Sequence, residues 1–408
     1  MQGDSPAAPE ILSRSPEEGA RRLALGYLDQ AGAVLPRLAG REGSAGEDPE
    51  ALHDMRVALR RLRSCLRAYR TELDDSPSRG AARRLRRLAR ATGPGRDTEV
   101  QMAWLRQQAA ALARHHRAGL SWLLARLEAR LEAAYGELRG ELAEGFPPLA
   151  SQLREELSVY RAEVHLDGGR PPSFGGAAAD LLAAHAADLE RRLARIDGAG
   201  EEEKAHRARI SAKQLRYLAE PLALLLEPAP GAPAAPALPG APGAQGDGAS
   251  TAATAAGDAG VSGAPEAGLA MAVSEAAPAR RQRQARADTL VQRLKELQDL
   301  LGELHDAHVL EAELAAALAE AATERAGRLL DLALQAGGPD PGRLRQLRRR
   351  PQEPGLLALA RLNRERRDRL FADFAARWQG GAAKRLARDS EQLGAALRAA
   401  GGRLSGGA

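Results

Sequence analysis

Two stretches decide how this chain is read: His53-Asp54-Met55-Arg56-Val57-Ala58-Leu59-Arg60-Arg61-Leu62-Arg63 and His206-Arg207-Ala208-Arg209-Ile210-Ser211-Ala212-Lys213-Gln214-Leu215-Arg216. They share the pattern His-x-x-Arg-(Val/Ile)-x-x-(Arg/Lys)-x-Leu-Arg at an offset of 153 residues. A second pair follows, in which Gly93 to Asp97 with Val100 matches Gly302 to Asp306 with Val309, at an offset of 209. The excess of 56 residues is close to the length of one unusual stretch, the 52 residues of 228–279. One duplication interrupted by one insertion accounts for both offsets. It predicts an all-α chain of two pseudo-symmetric four-helix bundles, with the insert looping out of the second.

On a helix advancing about 100° per residue, His53, Arg56, Arg60 and Arg63 fall within an arc of about 80°. Arg67 and Arg70 prolong the row, and Met55, Leu59, Leu62 and Leu66 form an apolar stripe beside it. The basic stripe therefore borders the buried face instead of opposing it. His206, Arg209, Lys213 and Arg216 repeat the arrangement, with Glu220 below them. Like charges three and four residues apart each cost a helix roughly 0.2–0.5 kcal/mol, so such rows call for acids or a bound anion. A solvated face would explain one row in an Arg-rich chain, but two rows at equivalent places in a repeat favour a ligand. Arg83, Arg86, Arg87 and Arg90 make another one-sided row before the first glycine element. Its counterpart keeps Arg293 and Lys295 but places Glu296 and Asp299 at the other positions, so an anion site should lean on the first half.

Composition agrees with helix. The 408 residues are 44% hydrophobic and only 3% aromatic, and strand-rich folds need more β-branched and aromatic residues than this. Of 59 basic residues only four are lysines, against 54 acids, for a net charge of +5. That excess alone does not establish a polyanion partner. The 228–279 stretch holds eight of the 24 prolines and no Lys, Arg or aromatic, and its four charges are all acidic. It is expected to be disordered, which leaves the rest of the chain more basic. A disordered tail is expected over 1–14, a first bundle over 15–167 and a second over 172–404. Ser15-Pro16-Glu17-Glu18 opens the first helix with a hydroxyl cap, proline and first-turn acids. Later helices are expected over 97–113, 117–142 and 147–165.

Other residues read as structural. Asp97 and Asp306 follow breaks and precede helical runs, which suits a cap or a partner for a motif arginine. Cys65, the single cysteine, reads as a small core residue, and His115 and His116 as surface residues. Cofactors and metals are not expected. The first 30 residues lack an apolar signal region and no run of 18 apolar residues occurs, so the expected location is cytoplasmic, with no membrane partner.

Together these motifs resemble the CHAD family, the conserved histidine α-helical domain. The stretches that carry the likeness are His53 to Arg63, His206 to Glu220 ending Lys-Gln-Leu-Arg-Tyr-Leu-Ala-Glu, and the Gly-x-x-x-Asp elements, with Leu301-Gly302-Glu303-Leu304-His305-Asp306 an especially good match. Thr92-Gly93-Pro94-Gly95-Arg96-Asp97 departs from the family's usual Leu-Gly start. The resemblance implies paired helical bundles with basic residues lining a central groove, and a role in binding inorganic polyphosphate without catalysis. It also implies possible association with polyphosphate granules and their proteins. With 14 residues before the first bundle, the chain resembles a free-standing member instead of one fused to a triphosphate-processing domain.

Three other readings compete. Basic rows bind any polyanion through its phosphates, so sequence-nonspecific nucleic-acid binding is the main alternative, though no aromatics interleave the rows to stack bases. Glu50-x-x-His53 and Glu203-x-x-His206 have the spacing of a di-metal bundle enzyme, but three cations follow each histidine on its own face. His53-Asp54 and His305-Asp306 suggest a His-Asp phosphohydrolase, yet adjacent helical residues diverge by about 100°.

Overall fold

The computed structural model describes residues 8–38, 49–74, 76–159, 172–226, 266–334, 342 and 352–403. Every regular element among them is helical. In chain order these are α1 (Ala8–Ser13), α2 (Pro16–Leu38), α3 (Pro49–Ala68), α4 (Arg79–Ala91), α5 (Gly93–Gln107) and α6 (Arg117–Leu157). The second half supplies α7 (Phe174–Leu193), α8 (Glu202–Leu224), α9 (Glu266–Ala333), α10 (Glu353–Trp378) and α11 (Gly381–Arg403). Two single 3₁₀ turns, Gln108–Ala110 and Arg114–His116, join α5 to α6.

Side-chain caps start several helices where hydroxyl residues precede them. Ser15 Oγ accepts from the Glu18 N–H at 3.2 Å, and Ser173 Oγ accepts from the Gly176 N–H at 3.2 Å. Ser78 Oγ accepts from the Ala81 N–H and donates to Glu156 of α6 at 2.8 Å, so one residue both caps α4 and docks it. Arg21 of α2 is buried and pairs with Glu17 at 2.7 Å. It also donates to the Glu156 carbonyl at 2.9 Å, which ties α2 to the end of α6.

The apolar core does not divide where the repeat divides. A large continuous core takes side chains from both halves, from Leu12 to Leu397. A smaller one joins Met102, Leu105 and Leu123 to Leu310, Leu314 and Leu356. Across the halves, α3 packs on α8, α2 on α7, α5 on α9 and α6 on α10. The last contact is a close crossing: a Cβ on Gly355 would lie 2.1 Å from the His116 carbonyl oxygen, and one on Gly119 would lie 2.4 Å from that of Gln352.

Four expectations need correction. The segment 1–14 is not wholly a tail, because residues 8–13 form α1. Leu12 is fully buried against α7 and α11, and the Phe174 N–H donates to the Arg14 carbonyl at 2.8 Å. An apolar Ile11-Leu12 pair was enough to dock one and a half turns. Within the 228–279 insert, 228–265 lie outside the described residues, but 266–279 open α9, consistent with the high helix propensity of their alanines. The break foreseen between 142 and 147 is absent. Helix α6 runs through Pro147 and Pro148, with Phe146 and Leu149 buried on either side. Gly302 likewise sits inside α9 instead of at a break, held by buried Leu297, Leu301 and Leu304. No helix among the described residues is long and apolar enough to cross a membrane.

Candidate anion-binding site

The two repeated motifs meet. Helix α3 buries Met55, Leu59 and Leu62, and α8 buries Ala208, Ala212 and Leu215. The α3–α8 contact sets their basic margins side by side. Small alanines on α8 allow close approach, so Arg56, Arg60 and Arg63 come to rest half-buried beside Arg209, Lys213 and Arg216. Tyr217 holds the seam: its ring lies under Arg60 and Arg216, each guanidinium carbon 4.9 Å from the ring centre. Those contacts order two like charges on one quadrupole, at about 0.5–1 kcal/mol or more apiece.

Electrostatics report the crowding. Burial, then Arg209, Arg60 and Arg56, push the Lys213 ammonium down to about 7. Burial first and Arg209 second lower His305 to about 4. Arg56, Arg60 and Arg63 are all held below the usual arginine range, burial leading, with neighbouring arginines adding to it. For Arg63 those neighbours are Arg90, Arg67 and Arg86, so part of the α4 row joins the cluster. His206 and His305 face each other with ring centres 4.8 Å apart, and burial lowers His206 as well.

Asp97 and Asp306 are not helix caps. Asp97 lies within α5 and Asp306 within α9, and both sit in the field of Lys213 and Arg209 or their neighbours. Burial raises Asp306, against the opposing pull of Arg209. Gly302 lies one turn before Asp306, and a Cβ there would stand 3.9 Å from Arg209 Nε, so the guanidinium runs past the glycine. Helix α5 is fitted tightly too: a Cβ on Gly95 would fall 2.1 Å from the Tyr135 ring, whose hydroxyl donates to Glu99 at 2.6 Å.

Several polar atoms remain unpaired. Arg60 Nε, Arg209 Nε, His206 Nδ1, His305 Nδ1 and the Tyr217 hydroxyl are buried without a hydrogen-bond partner among the described residues. Arg60, His206, Arg209 and Tyr217 themselves line a cavity of about 380 Å³, together with Arg63, Arg67, Lys213, Tyr27 and Leu218.

Not every foreseen residue arrives. Arg87 is drawn to Glu141 at 3.4 Å, while Arg216 reaches the seam but is also engaged by Gln298 at 2.8 Å and Glu220 at 3.6 Å. His53, Arg83 and Lys295 are exposed, and no described contact joins them to the cluster. Two residues were missed. His305 was quoted only as part of a motif, although its place beside Gly302-Asp306 was the available signal. Arg366 of α10 reaches Asp306's surroundings and pairs with Glu303 at 3.7 Å, and no repeat marked it. The Glu-x-x-His reading is not supported by geometry either, since Glu203 accepts from Arg207 at 2.7 Å. Cys65 is buried, and burial pushes its thiol up.

The model of the CHAD domain family matches residues 30–245, more than half of the chain. The chain belongs to the CHAD family. Among solved structures, this CHAD protein is similar to the crystal structure of the CHAD domain from the plant Ricinus communis. That likeness has 18% identity and a TM-score of 0.49, and covers 85% of this chain and 93% of that one. No curated protein matches the chain.

Proposed function

We propose that this CHAD protein binds inorganic polyphosphate along the facing margins of α3 and α8 and acts by holding the polymer, not by cleaving it. The observation that carries the reading is the set of buried, unpartnered polar groups on Arg60, Arg209, His206 and His305 within a cluster of cations. A buried donor without a partner costs about 1–3 kcal/mol, and phosphate oxygens would satisfy several at once. A linear polyanion also suits a site spread over several helices better than one compact anion would. Polyphosphate granules and their proteins are the surroundings this reading implies.

Nucleic acid is the alternative, and the cation–π partner Tyr217 does not favour it, because its ring is already covered by Arg60 and Arg216. The deciding experiment compares polyphosphate with single-stranded DNA of matched charge at two salt concentrations, using wild type and an Arg56/Arg60/Arg209/Lys213→Ala variant. Polyphosphate binding that survives excess DNA and collapses in the variant supports the reading. Equal affinity for both polymers, or an unaffected variant, overturns it.

A further inference from the structure

We propose that Lys213 is an acylation site, and that its donor is an acyl phosphate whose phosphate is held by the surrounding guanidinium groups. The inference rests on the anion-binding reading of the cluster, but it concerns a covalent step that reading does not require. Lys213 lines the 380 Å³ cavity together with Arg60, Arg63, Arg67 and Arg209. It has no ion pair or hydrogen bond among the described residues, whereas Lys204 is paired with Asp197 at 3.3 Å and Glu201 at 2.6 Å.

The charged groups facing it are mostly cations, Arg56 and Arg60 from α3 and Arg209 from its own helix, with the neutral imidazoles of His206 from its own helix and His305 from α9 beside them. Asp97 from α5 and Asp306 from α9 are the opposing carboxylates. In such a crowd only the lysine can relieve repulsion by losing a proton near neutral pH, because guanidinium groups keep theirs. Burial and the arginines bring its ammonium down to about 7, which supplies a free amine beside an anion cradle. That pairing is the requirement for amine acylation by an anionic donor.

The step balances without a further reactant. The Lys213 Nζ lone pair attacks the acyl carbon, and the carbon–oxygen bond to phosphate breaks with its electron pair on oxygen. The amine proton passes to the departing phosphate, leaving an amide and hydrogen phosphate. The product has lost the cation that the polymer would meet, so acylation would weaken polyanion binding.

Four lysines make the test compact: Lys204, Lys213, Lys295 and Lys384. Full-length protein is treated with acetyl phosphate, and in parallel with the uncharged donor p-nitrophenyl acetate, and each lysine is quantified by peptide mass spectrometry. At about pH 7.5, Lys213 is expected to react at least roughly tenfold faster than the other three with acetyl phosphate. Its advantage should shrink with the uncharged donor. Parity among the lysines with acetyl phosphate, or the same Lys213 advantage with both donors, overturns the proposal. Excess polyphosphate should protect Lys213. Selective acylation without such protection keeps the proposal and overturns the polyphosphate reading, while polyphosphate binding with no selective acylation does the reverse.

Discussion

Tyr217 places two arginines on one ring, and its worth can be separated from its bulk. Replacing it with Phe keeps the quadrupole and removes a hydroxyl that has no partner, so polyphosphate affinity should change less than about threefold. Tyr217→Ala removes both cation–π contacts and lets Arg60 and Arg216 disperse, and should weaken binding about tenfold, measured by titration calorimetry at fixed salt. Lys213 makes a prediction about pH. Its ammonium is at about 7 in the free protein, and a bound polyanion raises it. The contribution to affinity is therefore complete below 7 and lost as pH rises from 7 toward the bound value. The dissociation constant should grow toward one decade per pH unit above 7, with proton uptake on binding. Lys213→Arg keeps its charge throughout and should flatten that slope between about pH 7 and 9. A slope unchanged by the substitution would remove Lys213 from the site.

At the scale of elements, the crossing of α6 and α10 is the tightest seam described between the halves. A methyl group on Gly355 would meet the His116 carbonyl at 2.1 Å, and backbone cannot step aside as a side-chain tip can. Gly355→Ala should destabilise by about 1–3 kcal/mol, seen as a lowered chemical-denaturation midpoint, while polyphosphate binding well below the transition stays intact. Helices α3 and α8 were legible because their chemistry has a period: His, Arg, Arg, Arg beside Met, Leu, Leu, Leu in α3, and His, Arg, Lys, Arg in α8. The same reasoning stumbled on α9 and α6. A glycine at 302 and a proline pair at 147–148 look like stops in one dimension, yet buried leucines and Phe146 outweigh a local cost of about 1–3 kcal/mol. His305 and Arg366 came to the site through tertiary packing of α9 and α10, which leaves no periodic trace in their own segments. Arg83, foreseen from the same row as Arg86 and Arg90, shows the reverse. Position on a helix face does not say which end of that face meets a neighbour.

Taken as a whole, the molecule holds its cations together at a cost in stability. Lys213 binds fewer protons folded than unfolded between 7 and the ordinary lysine value, so its contribution to stability grows as pH rises through that window. Below 7 the ligand-free protein carries the full repulsion, and polyphosphate should raise its melting temperature most there, by differential scanning calorimetry. Salt should weaken binding steeply. If Arg56, Arg60, Arg63, Arg209, Lys213 and Arg366 each neutralise one phosphate, the slope of log K against log salt should approach about −4, by analogy with about −0.7 per phosphate on single strands. A slope near −1 would mean that a single cation does the binding.

The smaller core has a consequence for how the protein is made. Met102, Leu105, Leu112, Leu120, Leu123 and Leu127 meet Leu310, Leu314, Leu356 and Leu359 there. A ribosome adding about 5–20 residues per second needs roughly 10–45 s to travel from Leu127 to Leu359. For that interval the nascent first half carries an apolar face whose covering has not yet been synthesised. Its safe delivery depends on whatever shelters that face at the tunnel exit, long before any phosphate is met.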